Sequence, residues 1–233
     1  MRNISKEELN KILKEHELWL RGEGGKCADL SNVDLSYANL TYVNLEGADL
    51  ENANLSSTNL KRANLRCVDL EYANLRCANL ENANLEDSNL TNADLRYADL
   101  RYADLRCVDL KYADLRDVKT NIHTIGYNLA CPEKGSFVGY KKAGEYLIEL
   151  LILEDAKRSS ATTTKCRCNK AKVLDIENIK TGEKVNYVHS DYDDDFIYKV
   201  GEIVTVSNFD DDRWNECSTG IHFFMNKDNA LNY

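Results

Sequence analysis

The residues best suited to chemistry gather in the second half of this 233-residue chain. Between Lys157 and Lys172 stand six cations, Lys157, Arg158, Lys165, Arg167, Lys170 and Lys172, with no carboxylate among them. Ser159, Ser160, Thr162, Thr163 and Thr164 fall between. Ammonium, guanidinium and hydroxyl groups are the donors that hold phosphate or another oxyanion through charge-assisted hydrogen bonds. The stretch is read as a mobile, solvated polar loop, with a small-anion site as the functional alternative. Cys166-x-Cys168 with Cys217 and His222 supplies three thiols and an imidazole, the ligand types of tetrahedral zinc. The Cys217-x4-His222 spacing is not a standard second knuckle, so no metal is assigned and the quartet stands only as an alternative. Cys217 with His222 or His189 has the types of a nucleophile–base pair, but the spacing assigns no orienting third residue. Buried inert thiols are the commoner outcome, so no catalytic residue and no cofactor is expected. Asp191, Asp193 and Asp195 with Glu202 scan as a calcium loop, yet Phe196 stands where the turn demands glycine, and the reading is rejected. Asp210, Asp211 and Asp212 read as a turn, and both acidic runs have the charge to pair with the basic stretch.

These residues need strands to position them. Segments 137–141, 146–153, 171–176, 185–188, 196–200, 203–206 and 221–224 carry strand patterns, with Thr181-Gly182 as a hairpin turn. Asn226 caps a short closing helix that runs to Tyr233. The only proline, Pro132, marks the entry. Residues 121–233 therefore form a mostly-β or α+β domain.

Upstream lies a different pattern. Leucine recurs at every fifth position from Leu30 to Leu115, preceded by Asp or Asn and, two residues earlier, by Ala, Val, Ser or Thr. A period of five fits neither the helix nor the strand and demands a path that turns once per unit, a solenoid. The A(D/N)Lxx unit, as in Ala83-Asn84-Leu85-Glu86-Asp87, resembles the pentapeptide-repeat family. That resemblance implies a right-handed quadrilateral β-helix with four pentapeptides per coil, the leucine and the small residue pointing inward. Coils stacked at roughly 4.8 Å make about 4.5 turns and a rod of about 22 Å. The regular Asp and Asn side chains read as turn-stabilising acceptors rather than metal or acid–base groups. Residues 131–233 resemble a domain of unassigned function that follows such repeats in some bacterial and phage proteins. The stretches 135–142, 154–161, 198–202 and 214–224 carry that likeness, and no chemistry comes with it.

Outward positions that stack every twenty residues form columns. Thr41, Lys61, Glu81, Arg101 and Glu46, Arg66, Glu86, Arg106 alternate in sign and read as structural ladders. Ser36, Ser56, Arg76, Arg96, Arg116 puts three arginines in succession, with Tyr37 and Tyr97 alongside. Arg76, Arg96, Arg116, Tyr37 and Tyr97 are the candidate interaction strip for an anion or a protein; the alternative is a solvated face whose Asp and Asn neighbours absorb the charge. Before the repeats, Ser5 and Glu8 form a capping box, and Leu9, Ile12, Leu13, His16, Trp19 and Leu20 make one apolar helix face. This helix is read as a lid over the first coil, with His16 as a packed or capping histidine.

The net charge is −9, most of it within 28–117, which argues against direct nucleic-acid binding. No apolar run reaches membrane length, no signal-peptide core precedes Ser5, and eight cysteines then suggest reduced thiols in the cytoplasm. Cys67 and Cys107 share a face but lie about 9.6 Å apart, too far for a disulfide. The chain thus reads as a mainly β protein with a helical cap (1–26), a repeat β-helix (27–120) and a C-terminal domain (121–233). The expected function is a non-enzymatic binding or scaffold protein, solenoid as platform and C-terminal domain as head, with another protein as partner. One alternative makes that domain an anion- or nucleotide-binding or enzymatic one. A minor alternative follows from the resemblance, since some pentapeptide-repeat proteins mimic DNA and bind type II topoisomerases through long, acidic, dimeric rods; this repeat is short and its arginine column is positive.

Overall fold

The computed structural model describes residues 1–193 and 195–233. The chain divides into two compact units, Met1–Asn128 and Leu129–Tyr233.

The first unit begins with β1 (Arg2–Asn3) and helix α1 (Lys6–Leu20). Ser5 Oγ accepts from Glu8 N at 3.1 Å, half of the expected capping box, while the Glu8 carboxylate turns to Arg2 at 3.8 Å. β1 pairs in parallel with β2 (Val33–Asp34), so the first residues add a partial rung beneath the repeats. His16 is the buried residue of α1; its ring stacks on Trp19, and Ala28 N donates to its Nδ1 at 3.1 Å. The Trp19 ring lies over Gly47, and the first-coil leucines Leu30, Leu35, Leu40 and Leu45 are buried.

Through the repeats, parallel bridges join each residue before leucine to its counterpart twenty positions on, from Asp29↔Asp49 to Asp94↔Asp114. Leu75 N donates to Asp94 O at 2.8 Å, and Asp94 N donates back to Ala73 O at 3.0 Å. One coil is therefore four pentapeptides. Leucines from Leu30 to Leu110 are at most 4 % exposed, and the inward hydroxyls of Thr58 and Ser88 donate to the carbonyls of Leu35 and Leu85. Every residue two after a leucine sits at positive φ, from Asn32 at 57° to Asp117 at 59°. Each turn is held by the pre-leucine side chain, as where Arg76 N donates to Asn74 Oδ1 at 3.2 Å. The stack outlasts the leucine period. Lys119 bridges Asp99, Ile125 bridges Asp104 one residue out of step, and Thr124 Oγ1 donates to Leu100 O. The unit accordingly ends at Asn128, past the boundary expected at residue 120.

The second unit is built on β3 (Phe137–Ala143), β4 (Tyr146–Ile152), β5 (Arg158–Ser160), β6 (Lys165–Cys168), β7 (Lys170–Asn178), β10 (Ile203–Thr205) and β11 (Ile221–Phe224). They form one antiparallel sheet in the order β10-β7-β4-β3-β11-β6-β5. A separate pair joins β8 (Tyr187–His189) to β9 (Ile197–Lys199), and α2 (Lys227–Leu231) closes the chain with Asn226 as its cap. Ile148, Leu150, Ile152, Val173, Ile176 and Phe223 fill one face. Gly139 makes room for Phe223, since a Cβ there would stand 2.6 Å from its ring. Leu147, Phe224 and Ala230 form a smaller cluster with α2.

Candidate functional site

The basic stretch is not a loop. Lys165 and Arg167 alternate with Cys166 and Cys168 along β6, a period of two that puts both thiols on the core face. The register pairs Ile221 with Cys168 and Phe223 with Cys166, and His222 with Arg167 on the opposite face. The alternative zinc quartet is split by the sheet: Cys166 and Cys168 are buried, His222 points away from them, and Cys217 is exposed. Among the described residues no group of three or more metal-ligating side chains comes together. Burial pushes the Cys168 thiol up to about 12; a hydrogen bond with the free thiol of Cys131 and burial push Cys166 up as well.

The six cations do not converge either. Arg158 donates to the carbonyls of Leu153, Glu154, Ala156, Pro132 and Gly135, and its guanidinium lies over Phe137. Arg167, 2 % exposed, donates to the carbonyls of Asp210, Asp212 and Thr219 and stacks over Phe209. A guanidinium has five N–H donors in a fixed fork; Arg158 makes five bonds to backbone carbonyls and Arg167 three. Lys157 pairs with Asp211 and Lys170 with Asp155, so the acidic run at 210–212 meets the basic stretch as its charge suggested. Lys172 is half-buried on β7. Of the six, Lys165 lines an open space inside the unit.

That space is a cavity of about 640 Å³ in the second unit. β3 and β11 share a single register pair, Phe224↔Tyr140, and the cavity wall takes Lys141 from one and Ile221 and His222 from the other. Lys165, Tyr198, Cys217 and Tyr233 complete its working surface, and Asp193 also lines it. Lys165 Nζ meets Tyr233 Oη at 3.0 Å and Cys217 Sγ at 3.9 Å. Lys141 Nζ lies 5.8 Å from the centre of the Tyr198 ring. The two lysines are 9 % and 6 % exposed, and neither makes an ion pair with a described residue. Burial pushes Lys141 below the usual lysine range, with Lys165 adding to the effect and Asp191 opposing it. Burial also works against the charge of Lys165, but the Tyr233 bond with Cys217 and Glu216 nearby holds it above the usual range. His222 is pushed down to about 4 by burial and by Lys165, Lys141 and Arg167. His222 Nε2 sits 3.0 Å from the Ser218 carbonyl, which makes it the donor, while Cys217 Sγ meets Lys165 Nζ rather than the ring. His189 lies on β8 against Tyr187, outside the cavity. Sequence reading missed Lys141, Tyr198 and Tyr233. The legible signal was Lys141 itself, a cation on the inward register of a strand with Phe137, Gly139 and Ala143.

On the repeats, Arg96 grips Asp94 at 2.8 and 2.6 Å and reaches Asp114 at 3.5 Å; Arg116 grips Asp114 in the same way. The arginine beside it pulls Asp114 down to about 2. Arg76 instead lies over the Tyr97 ring at 5.6 Å, and Tyr37 is 81 % exposed. The candidate strip is thus brought together at Arg76 and Tyr97, while Arg96 and Arg116 are neutralised in place. The ladders form between Lys61 and Glu81 and among Glu46, Arg66, Glu86 and Arg106; Arg101 turns to Asp99 instead. No helix among the described residues is long and apolar enough to cross a membrane.

Comparison with known proteins agrees with this division. Residues 28–119 match the pentapeptide repeats, and residues 127–230 match a family of unknown function, DUF5758. No curated protein matches the chain. Among solved structures, a pentapeptide repeat protein (Rfr23) from the cyanobacterium Cyanothece is 42 % identical over 43 % of this chain and 65 % of its own, just under two thirds of its length, with a TM-score of 0.31. A pentapeptide repeat protein from the Arabidopsis thaliana thylakoid lumen is 31 % identical over 40 % of this chain and 69 % of its own, with a TM-score of 0.27. One from Nostoc is 30 % identical over 46 % and 93 %, with a TM-score of 0.23. With its unbroken leucine ladder and its twenty-residue coils, the chain belongs to the pentapeptide-repeat family.

Proposed function

We propose that the protein is a platform bearing an anion-receiving head: the repeats, a right-handed quadrilateral stack capped by α1, serve as scaffold, and the second unit recognises an anionic group on its partner or ligand. Pentapeptide-repeat proteins are generally non-enzymatic scaffold or interaction proteins, which supports the first half. The observation that carries the second is the pair of buried lysines, Lys141 and Lys165, on the wall of one cavity without an ion-pair partner among the described residues. Burying an unpaired ammonium is costly, and two of like sign repel as well. An anion between them offsets both penalties, with the Tyr233 hydroxyl as a neutral donor. This reading keeps the anion that the basic stretch suggested but moves it from the surface of β5 and β6 to the cavity, with Lys165 as the shared member. Free thiols at all eight cysteines fit a reducing, cytoplasmic setting.

Inorganic phosphate should raise the melting temperature of the second unit, by an amount that grows with the logarithm of its concentration and fades in inert salt. In Lys141→Met and Lys165→Met the phosphate gain should vanish, while the anion-free protein melts at the same temperature or higher because a buried charge is gone. A phosphate gain of equal size in both variants would refute the site.

A further inference from the structure

We propose that Lys141 is a nucleophilic amine that captures a small 2-oxo acid as a Schiff base, with Lys165 and Tyr233 holding the acid's carboxylate. The inference deepens the anion reading and rests on it for the carboxylate.

Four features of the cavity lead there. Lys141 reaches it from the inward register of β3, where a side chain held only for solubility has no reason to be. Its neighbours on the wall are an aromatic ring, Tyr198, and a second cation, Lys165; Asp191 acts against loss of the proton, but without an ion pair, and burial outweighs it. A buried amine without an ion-pair partner holds its proton weakly, and the unprotonated amine is the form that attacks carbonyl carbon. Lys165 differs: with Tyr233 and Cys217 against it, it keeps its charge and suits an anchor rather than a nucleophile. The volume, about 640 Å³, suits a small metabolite.

The step balances without an oxidant or reductant. The Lys141 nitrogen lone pair forms a bond to the carbonyl carbon, and the π electrons move to oxygen. Both amine hydrogens then leave with that oxygen as one water molecule, giving a carbon–nitrogen double bond. The titratable groups facing the amine are Lys165 and His222 across the cavity, Asp191 and Asp193 from the 190–193 segment, and the Tyr198 phenol from β9.

The test is reductive trapping on the full chain. Pyruvate with cyanoborohydride fixes an imine as a stable secondary amine, located by peptide mapping. Lys141 should be labelled at least about tenfold more than Lys180 or Lys184, whose side chains are 75 % and 67 % exposed. Lys165→Met should lower labelling by pyruvate but not by acetaldehyde, which has no carboxylate to anchor. Lys141→Arg keeps the cation and cannot form the imine, so it should retain the phosphate-dependent melting shift and lose the label. Labelling of Lys141 no greater than that of Lys180 in a protein that still binds phosphate overturns the covalent step and leaves the anion reading standing. Selective labelling of Lys141 that phosphate does not suppress, with no phosphate shift in the melt, supports the reactive amine and overturns the anion reading.

Discussion

Cys77 is exposed on the repeat surface, yet its backbone sits at φ 60°, a region where a Cβ crowds the following carbonyl. Among the described residues, all the non-glycine ones at positive φ occupy this one position of the pentapeptide, and tyrosine fills it more often than asparagine, with cysteine close behind. Exposure is thus a poor guide to tolerance there. Cys77→Val should cost about 1–2 kcal/mol, because a β-branched residue resists the left-handed region. Cys77→Asn should be neutral or stabilising. Equal melting temperatures for the two variants would show that the corner is not strained. The same reasoning applies to outward Asn82, whose φ of 59° makes its replacement by alanine more than a surface change. His16 raises the other residue-scale question. Its Nδ1 accepts from Ala28 N only while the ring is neutral, and burial lowers its pKa below the ordinary value, against a smaller opposing pull from Glu46. The unfolded histidine, with a pKa of about 6.5, binds the proton more readily than the folded one. The stabilisation is therefore complete above about pH 6.5 and is lost as pH falls below it toward the depressed folded value. Melting of the isolated first unit should fall between pH 7 and pH 5, and less steeply in His16→Asn, which offers an acceptor that does not titrate; parallel profiles would remove His16 as the cause.

Among the elements, β5 and β6 departed furthest from expectation. Six cations with five hydroxyls read as a solvated or anion-binding loop, and the structure turns them into a sheet edge whose guanidinium groups bind backbone carbonyls. Removing Arg167 takes away its three charge-assisted hydrogen bonds to the carbonyls of Asp210, Asp212 and Thr219, where a bond to a charged group contributes about 1.5–3 kcal/mol. Arg167→Met should accordingly lower the stability of the second unit by that order, measured by denaturant titration, and Arg158→Met with Arg167→Met by more. A double variant as stable as the parent would return both arginines to the solvated surface. The strands around them were legible, because β3, β4, β7 and β11 carry apolar residues at the spacing of the pleat. In β6 the same period of two is present, but its inward residues are cysteines and its outward ones are charged, and composition masked it.

For the whole molecule, the two compact units invite separation. Fragments 1–128 and 129–233 should each fold and melt cooperatively. A fragment ending at residue 120 should melt below 1–128, because it lacks Thr124, which donates to Leu100 O, and Ile125, which pairs with Leu105 N. Cutting at 120 without loss would show that residues 121–128 add nothing to the stack.

The first unit was almost wholly written in the chain. A leucine every five residues admits one kind of path, because each repeat sees only its neighbours in the stack, and the local motif also specifies its own turn through the Asp or Asn acceptor. The terminal rungs were not, since β1 and residues 119–125 join the stack by backbone bridges that no side-chain period announces. In the second unit the sequence determined most strands but not their neighbours. Only the order β3-β11-β6 brings Lys141, Lys165 and His222 to one cavity, from positions 24 and 57 residues apart along the chain. Strand pairing at that separation depends on which apolar faces cover one another, a property of the assembled sheet rather than of any segment. The same assembly placed Cys166 and Cys168 on one side and His222 on the other, dissolving a metal site that spacing alone left open.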